Sequence, residues 1–102
     1  MPASGELPGA DLIGTGIEDL QRGEFTIEAL VVAVGAPRLR AAGLSVPEAP
    51  GWPRVPEHAL YDAIGRSGIA DSHSRYNSLI RRLVSFERAL ERRSLRSQRQ
   101  PG

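Results

Sequence analysis

The stretch from Ser74 to Arg93, SRYNSLIRRLVSFERALERR, contains neither glycine nor proline, in a chain that carries 11 glycines and 8 prolines. Most of its residues favour or tolerate the helix, and a helix of that length spans about 30 Å. At about 100° per residue, Tyr76, Leu79, Ile80, Leu83, Val84, Phe86 and Leu90 fill an arc of roughly 160°. Arg75, Arg81, Arg82, Arg88, Arg92 and Arg93 take the other side. An apolar stripe that wide needs two or more neighbours to cover it. The stretch therefore predicts the core wall of an all-α domain with a long C-terminal amphipathic helix.

The rest of the chain breaks into shorter units. Asp11 is placed to cap a first helix running to Arg22, with Gly23 as its stop. Thr26 is placed to cap a second, TIEALVVAV, in which Ile27, Leu30, Val31 and Val34 repeat at i, i+3, i+4 and i+7. The same run is rich in β-branched residues, and a buried strand is the competing reading. Helix is preferred because no second strand-like run exists to pair with it. Gly35 predicts the end of this helix, and Pro37 the first position of a short third one, PRLRAA, closed by Gly43. Pro56 suits the first turn of a further helix, PEHALYDAIG, after which Gly65 and Gly68 break the chain; Asp71, Ser72 or Ser74 then caps the long one. The expectation is a small bundle of four to five helices over residues 10–96, with disordered tails at 1–9 and 97–102.

Between the two halves lies a Pro-rich crossover. Pro47, Pro50, Pro53 and Pro56 sit three apart, the period of polyproline II. A segment of that kind serves either as a ligand for an aromatic-grooved recognition domain or as a stiff connector. With the chain's single Trp, Trp52, in its middle, the connector docked inward is the expectation.

Chemistry is scarce. The absence of Cys removes disulfides, thiol catalysis and Cys-ligated metals. All 13 basic residues are Arg, so a P-loop Lys, a Schiff base and a Lys general base are excluded. Gly14-Thr-Gly16 lacks the rest of a dinucleotide fingerprint. His58 and Asp62 stand at i and i+4, and His73 neighbours Asp71, but nothing follows the HExxH spacing and no further ligand is supplied. Ser67, Ser72 and Ser74 lie outside any G-x-S-x-G elbow. No catalytic, cofactor-binding or metal-ligating residue is assigned, and the chain is expected not to be an enzyme. Thr26–Val34, Gly35–Ala36 and Pro37–Ala42 follow the order helix, turn, helix, yet about six residues are too few for a recognition helix. Neither a basic-then-apolar leader nor a run of ~20 apolar residues is present, so a cytoplasmic protein without membrane contact is expected.

Charge is distributed unevenly. Residues 1–36 carry six acids and one Arg, a balance of −5, and residues 74–102 carry eight Arg and two Glu, a balance of +6. One reading of this polarity has the acidic third meet the basic helix, within the fold or across a subunit interface. The arginines Arg81, Arg88 and Arg92 lie within about 40° of one another, a stripe that either runs along phosphates or is simply a solvated face. Glu87 falls inside the apolar arc. It therefore needs an Arg partner (Arg38, Arg40 or Arg66), or the helix leaves its own core there and exposes Phe86 and Leu90 as a docking pair. These observations lead to the expectation of a helical interaction protein, an accessory or regulatory subunit that binds another protein or itself as a homodimer. Its candidate contact residues are Phe86, Glu87, Leu90, Arg81, Arg88 and Arg92. The alternative is a nucleic-acid binder using the Arg face.

Overall fold

The computed structural model describes residues 7–68 and 70–99, with side chains as far as Leu95. Four helices follow in order: α1 (Ala10–Gln21), α2 (Ile27–Ala41), α3 (Pro56–Arg66) and α4 (Ser72–Arg99). There is no strand among the described residues, so the β-branched run of α2 is helical. None of these helices is long and apolar enough to cross a membrane. Residues 1–6 and 100–102, most of the expected tails, lie outside the described residues. Leu7 packs against the core, and α4 continues as helix to Arg99, into the stretch expected to be a disordered tail.

The centre of the bundle is α2, not α4. It packs against each of the other three helices and buries Ala29, Leu30, Val31, Val32, Ala33, Gly35, Ala36 and Leu39. A helix that is apolar on every side has to sit inside. Its start is capped as expected: the Thr26 hydroxyl accepts from the Ala29 N–H at 3.1 Å and donates to Asp19 Oδ2 at 2.5 Å. Asp19, only 5% exposed, also binds the Arg22 guanidinium, tying the end of α1 to the start of α2.

Two expectations about α2 are overturned together. The helix neither stops at Gly35 nor restarts at Pro37; it runs through both to Ala41, leaving no helix-turn-helix. Gly35 is a contact glycine: a Cβ there would lie 2.7 Å from Leu83 Cδ1 and 2.6 Å from Glu87 Oε2 of α4. Pro37 is exposed and has no N–H to offer the Ala33 carbonyl, a loss offset by the burial of Ala36 and Leu39 on either side of it. The helix closes at Gly43 (φ 99°), where the Leu44 N–H reaches the Leu39 carbonyl at 2.9 Å and the Gly43 N–H reaches Arg40 at 3.0 Å. That double bond is the Schellman arrangement, which needs a left-handed residue.

Other boundaries differ in detail. The residue preceding α1 is Gly9, with no side-chain cap, and Asp11 sits in the first turn instead, where its carboxylate meets Arg82 at 3.3 Å. Helix α3 begins at Pro56 as expected but passes through Gly65 to Arg66. Asp71 caps α4, accepting from the Ser74 N–H at 3.1 Å and the Ser74 hydroxyl at 2.9 Å. The Pro-rich crossover turns at Pro50–Gly51, so it is not one continuous polyproline rod. Trp52 does dock inward, edge-on to Phe25 at 6.3 Å with the Arg40 guanidinium 5.4 Å above its ring.

Candidate interaction surface around the distal half of α4

The first half of α4 is core wall. Leu79 and Leu83 are buried against α2 and α3, and Tyr76 stacks on Tyr61 of α3 at 5.5 Å. The core then runs further along the helix than its polarity suggests. Phe86 is 2% exposed and Leu90 7% exposed, so neither is a free docking residue. The apolar pair expected at the surface is inside because Glu87, the residue that suggested an early exit, has a partner. Arg38 Nη1 stands 3.2 Å from Glu87 Oε1, and its Nε and Nη2 take both oxygens of Glu91 at 3.0 and 2.8 Å. One guanidinium from α2 thus holds two consecutive turns of α4. Glu87 is 4% exposed, with its other oxygen fitted against Gly35.

The two carboxylates respond to this clamp in opposite senses. Burial pushes the Glu87 carboxyl above its ordinary value of 4.5, against the pull of Arg38 and with a further push from Glu91. The hydrogen bonds from Arg38 hold Glu91 below 4.5. For Glu87 the folded state binds its proton more tightly than the unfolded chain, so stability falls as pH rises through the window above 4.5. For Glu91 the unfolded chain binds the proton more tightly, so its contribution is present above 4.5 and is lost as pH falls through the lowered value. Glu87→Gln, which mimics the protonated acid and leaves the Arg38–Glu91 pair intact, should therefore be more stable than wild type near pH 7. Glu91→Gln should be less stable there, and both differences should shrink in acid. Thermal melts of the two variants at about pH 4 and pH 7 check this; a loss of stability at pH 7 in Glu87→Gln contradicts it.

Outside the clamp, arginine dominates. Arg81, Arg88 and Arg92 are exposed, and none is in an ion pair among the described residues. At 1.5 Å per residue they form a row about 10 Å and then 6 Å apart along the outer side of α4. The predicted meeting of acidic third and basic helix is reduced, among the described residues, to the single exposed pair Asp11–Arg82. Leu95, 59% exposed, projects beside this row.

A groove runs along the inner side of the same region. Ala10, Asp11, Ile13, Gly14 and Ile17 of α1 form one wall, Leu44 the other, and Phe86 its floor, around a volume of about 300 Å³. Leu44 is shared with a second hollow of about 280 Å³, bounded by Ala42, Gly43, Leu90, Arg93 and Ser94. There the Arg93 Nη1 atom is enclosed and has no hydrogen-bond partner among the described residues. The lining comes from three separated segments, and no single stretch of sequence signals it. The isolated glycines of α1 were the one available hint.

Among the described residues, no three His, Asp or Glu side chains converge as a metal site. Comparison with family models, curated proteins and solved structures finds no match.

Proposed function

We propose that this chain is a helical interaction module, an accessory or regulatory subunit that works by binding another protein rather than by catalysis. The observation that carries this reading is the imbalance on α4: its two acids are taken by Arg38, whereas Arg81, Arg88 and Arg92 are exposed and in no ion pair among the described residues. A guanidinium row is suited to an acidic protein surface by bidentate pairing. Steering by such a patch raises association rates and makes them salt-dependent.

Affinity capture from the native cell tests it, with wild type beside Arg81→Glu/Arg88→Glu/Arg92→Glu. All three positions are exposed, so the variant should keep its helical circular dichroism. A protein retained by wild type, released by salt and bound about 100-fold more weakly by the variant is expected. Equal retention by both chains defeats the proposal. The same straight Arg row favours nucleic acid as the second reading. Labelled duplex DNA or RNA that binds at about 150 mM salt, and is released by the triple reversal, would install it.

A further inference from the structure

We propose that the outer stripe of α4, formed by Arg81, Ser85, Arg88, Arg92 and Leu95, receives an acidic helix of a partner protein. The partner helix lies along α4, with carboxylates on the three arginines and an apolar side chain against Leu95. The inference rests on the reading of the chain as a protein-binding module and assigns the shape and chemistry of the partner at that same face.

Three observations converge on it. The first is spacing. The five residues follow one another at intervals of four, three, four and three. They fall within an arc of about 80° and cover about 21 Å of the helix axis. That alternation is the period at which two helices stay aligned side by side, because a repeat of about 3.5 residues keeps one seam facing the neighbour. All five side chains are exposed. Leu79, Leu83, Phe86 and Leu90 take the opposite side of α4 into the core, so the stripe plays no part in packing the bundle.

The second is charge. Arg81, Arg88 and Arg92 are in no ion pair among the described residues, and both acids of α4 are held by Arg38. The stripe therefore presents uncompensated positive charge along most of its length. Its arginines stand at heights separated by about 10 Å and then 6 Å, and a facing helix with carboxylates seven and four residues apart meets all three. An extended strand, with side chains of one face about every 6.7 Å, matches only the shorter interval.

The third is the end of the stripe. Leu95 is 59% exposed, against 42% for Val55 and Tyr61, the other large apolar side chains exposed among the described residues. Beside it, Ala41 and Ala42 at the end of α2 join Glu91 and Ser94 around a hollow of about 300 Å³. Both Glu91 oxygens are taken by Arg38, so the hollow offers apolar surface and an acid that is already paired. An apolar side chain next to the row of acids on the partner fills it.

A second copy supplies no matching row. Asp11 and Glu18 are the exposed acids of α1, and Asp11 is paired with Arg82. On α3 the exposed acids are Glu57 and Asp62, five residues apart and so about 140° around the helix. No described helix offers three exposed acids, which leaves a separate acidic helix as the occupant.

The probes are fluorescein-labelled helical peptides of about 21 residues, followed by anisotropy against the full chain. One carries Glu at i, i+7 and i+11 and Leu at i+14, for a parallel partner; the other carries Leu at i and Glu at i+3, i+7 and i+14, for an antiparallel one. A control of the same composition and net charge spreads its three Glu evenly around the helix. One of the two directed peptides should saturate wild type at about 150 mM salt, and the control should bind at least about tenfold more weakly. Leu95→Ala and Arg88→Gln should each weaken the directed peptide about fivefold or more. Both positions are exposed, so both variants should melt as wild type does.

Equal affinity for the directed and control peptides overturns the proposal, as does saturable binding by none of them or wild-type affinity in Leu95→Ala. Labelled duplex DNA of about 20 base pairs that binds more tightly than either directed peptide at the same salt overturns it in favour of a phosphate backbone. A wild-type dimer in sedimentation that Arg88→Gln dissociates overturns it in favour of a second copy. Leu95→Ala also separates this inference from the broader one, because it keeps every arginine. A cellular protein captured equally by wild type and Leu95→Ala, but lost in Arg81→Glu/Arg88→Glu/Arg92→Glu, leaves the protein-binding reading standing and overturns the helix assignment.

Discussion

Gly16→Ala should remove about 2–3 kcal/mol of stability, while Gly14→Ala, two residues earlier on the same helix, should add up to about 1 kcal/mol. Helix propensity alone gives the two substitutions the same favourable sign. They part because of what lies opposite. The Cβ of an alanine at 16 would stand 2.4 Å from the Glu28 carbonyl oxygen and 2.5 Å from Val32 Cγ2. The carbonyl belongs to the first turn of α2 and cannot swing aside as a side-chain tip can. The two helices must move apart, weakening the packing of Ile13 and Leu20 along the α1–α2 seam. At position 14 the methyl group enters open space and only reduces the freedom of the unfolded chain. Melting temperatures should split by roughly 10–20 °C. Urea titrations check the free energies; a Gly16→Ala chain as stable as wild type would show that α1 and α2 are not in close contact there.

Leu39→Ala should cost about 2–5 kcal/mol, a large fraction of what holds a domain of this size together. Leu39 is fully buried, yet it lies beyond both Gly35 and Pro37. It reaches the core only because α2 runs straight through them. In the alternative of two short helices with a turn at Gly35–Ala36, Leu39 belongs to a brief peripheral helix and its truncation costs much less. Pro37→Ala supplies the opposite sign. In a continuous helix the alanine restores an N–H for the Ala33 carbonyl and stabilises by about 1–2 kcal/mol, after allowance for the looser unfolded chain. At the first position of a new helix, proline is the better residue and the substitution destabilises. The two variants in equilibrium urea unfolding therefore test the same claim from both sides.

Individual residues show how far the sequence could be read. Thr26, Pro56, Gly23 and Gly43 act where local chemistry places them, because caps, proline at the first position and left-handed stops satisfy groups within a few residues. The apolar arc of α4 was legible for the same reason, periodicity being local. Gly35 looks like a stop in the sequence, since the chain around it holds no trace of Leu83 and Glu87 some 50 residues on. Glu87 marks something unusual on α4, but the sequence leaves two structural explanations open. The structure selects the Arg38 partner, so Phe86 and Leu90 move from the candidate surface into the core, while Arg81, Arg88 and Arg92 stay outside. Asp19 gave no signal at all. Its burial follows from the short connector that folds the end of α1 onto Thr26.

The sequence by itself determined that the chain is helical, where α2, α3 and α4 begin, that α4 is long and amphipathic, and that Cys and Lys chemistry is absent. Each of these depends on residue type or on spacing within a few turns. Tertiary structure alone decided that α2 is the central helix, that Gly16 and Gly35 are points of close approach, that one arginine holds both acids of α4, and that one hollow opens beside Gly14 and another beside Arg93. These features arise where segments distant in the chain meet, and the free energy that selects them is burial and pairing across helices, which no single segment contains.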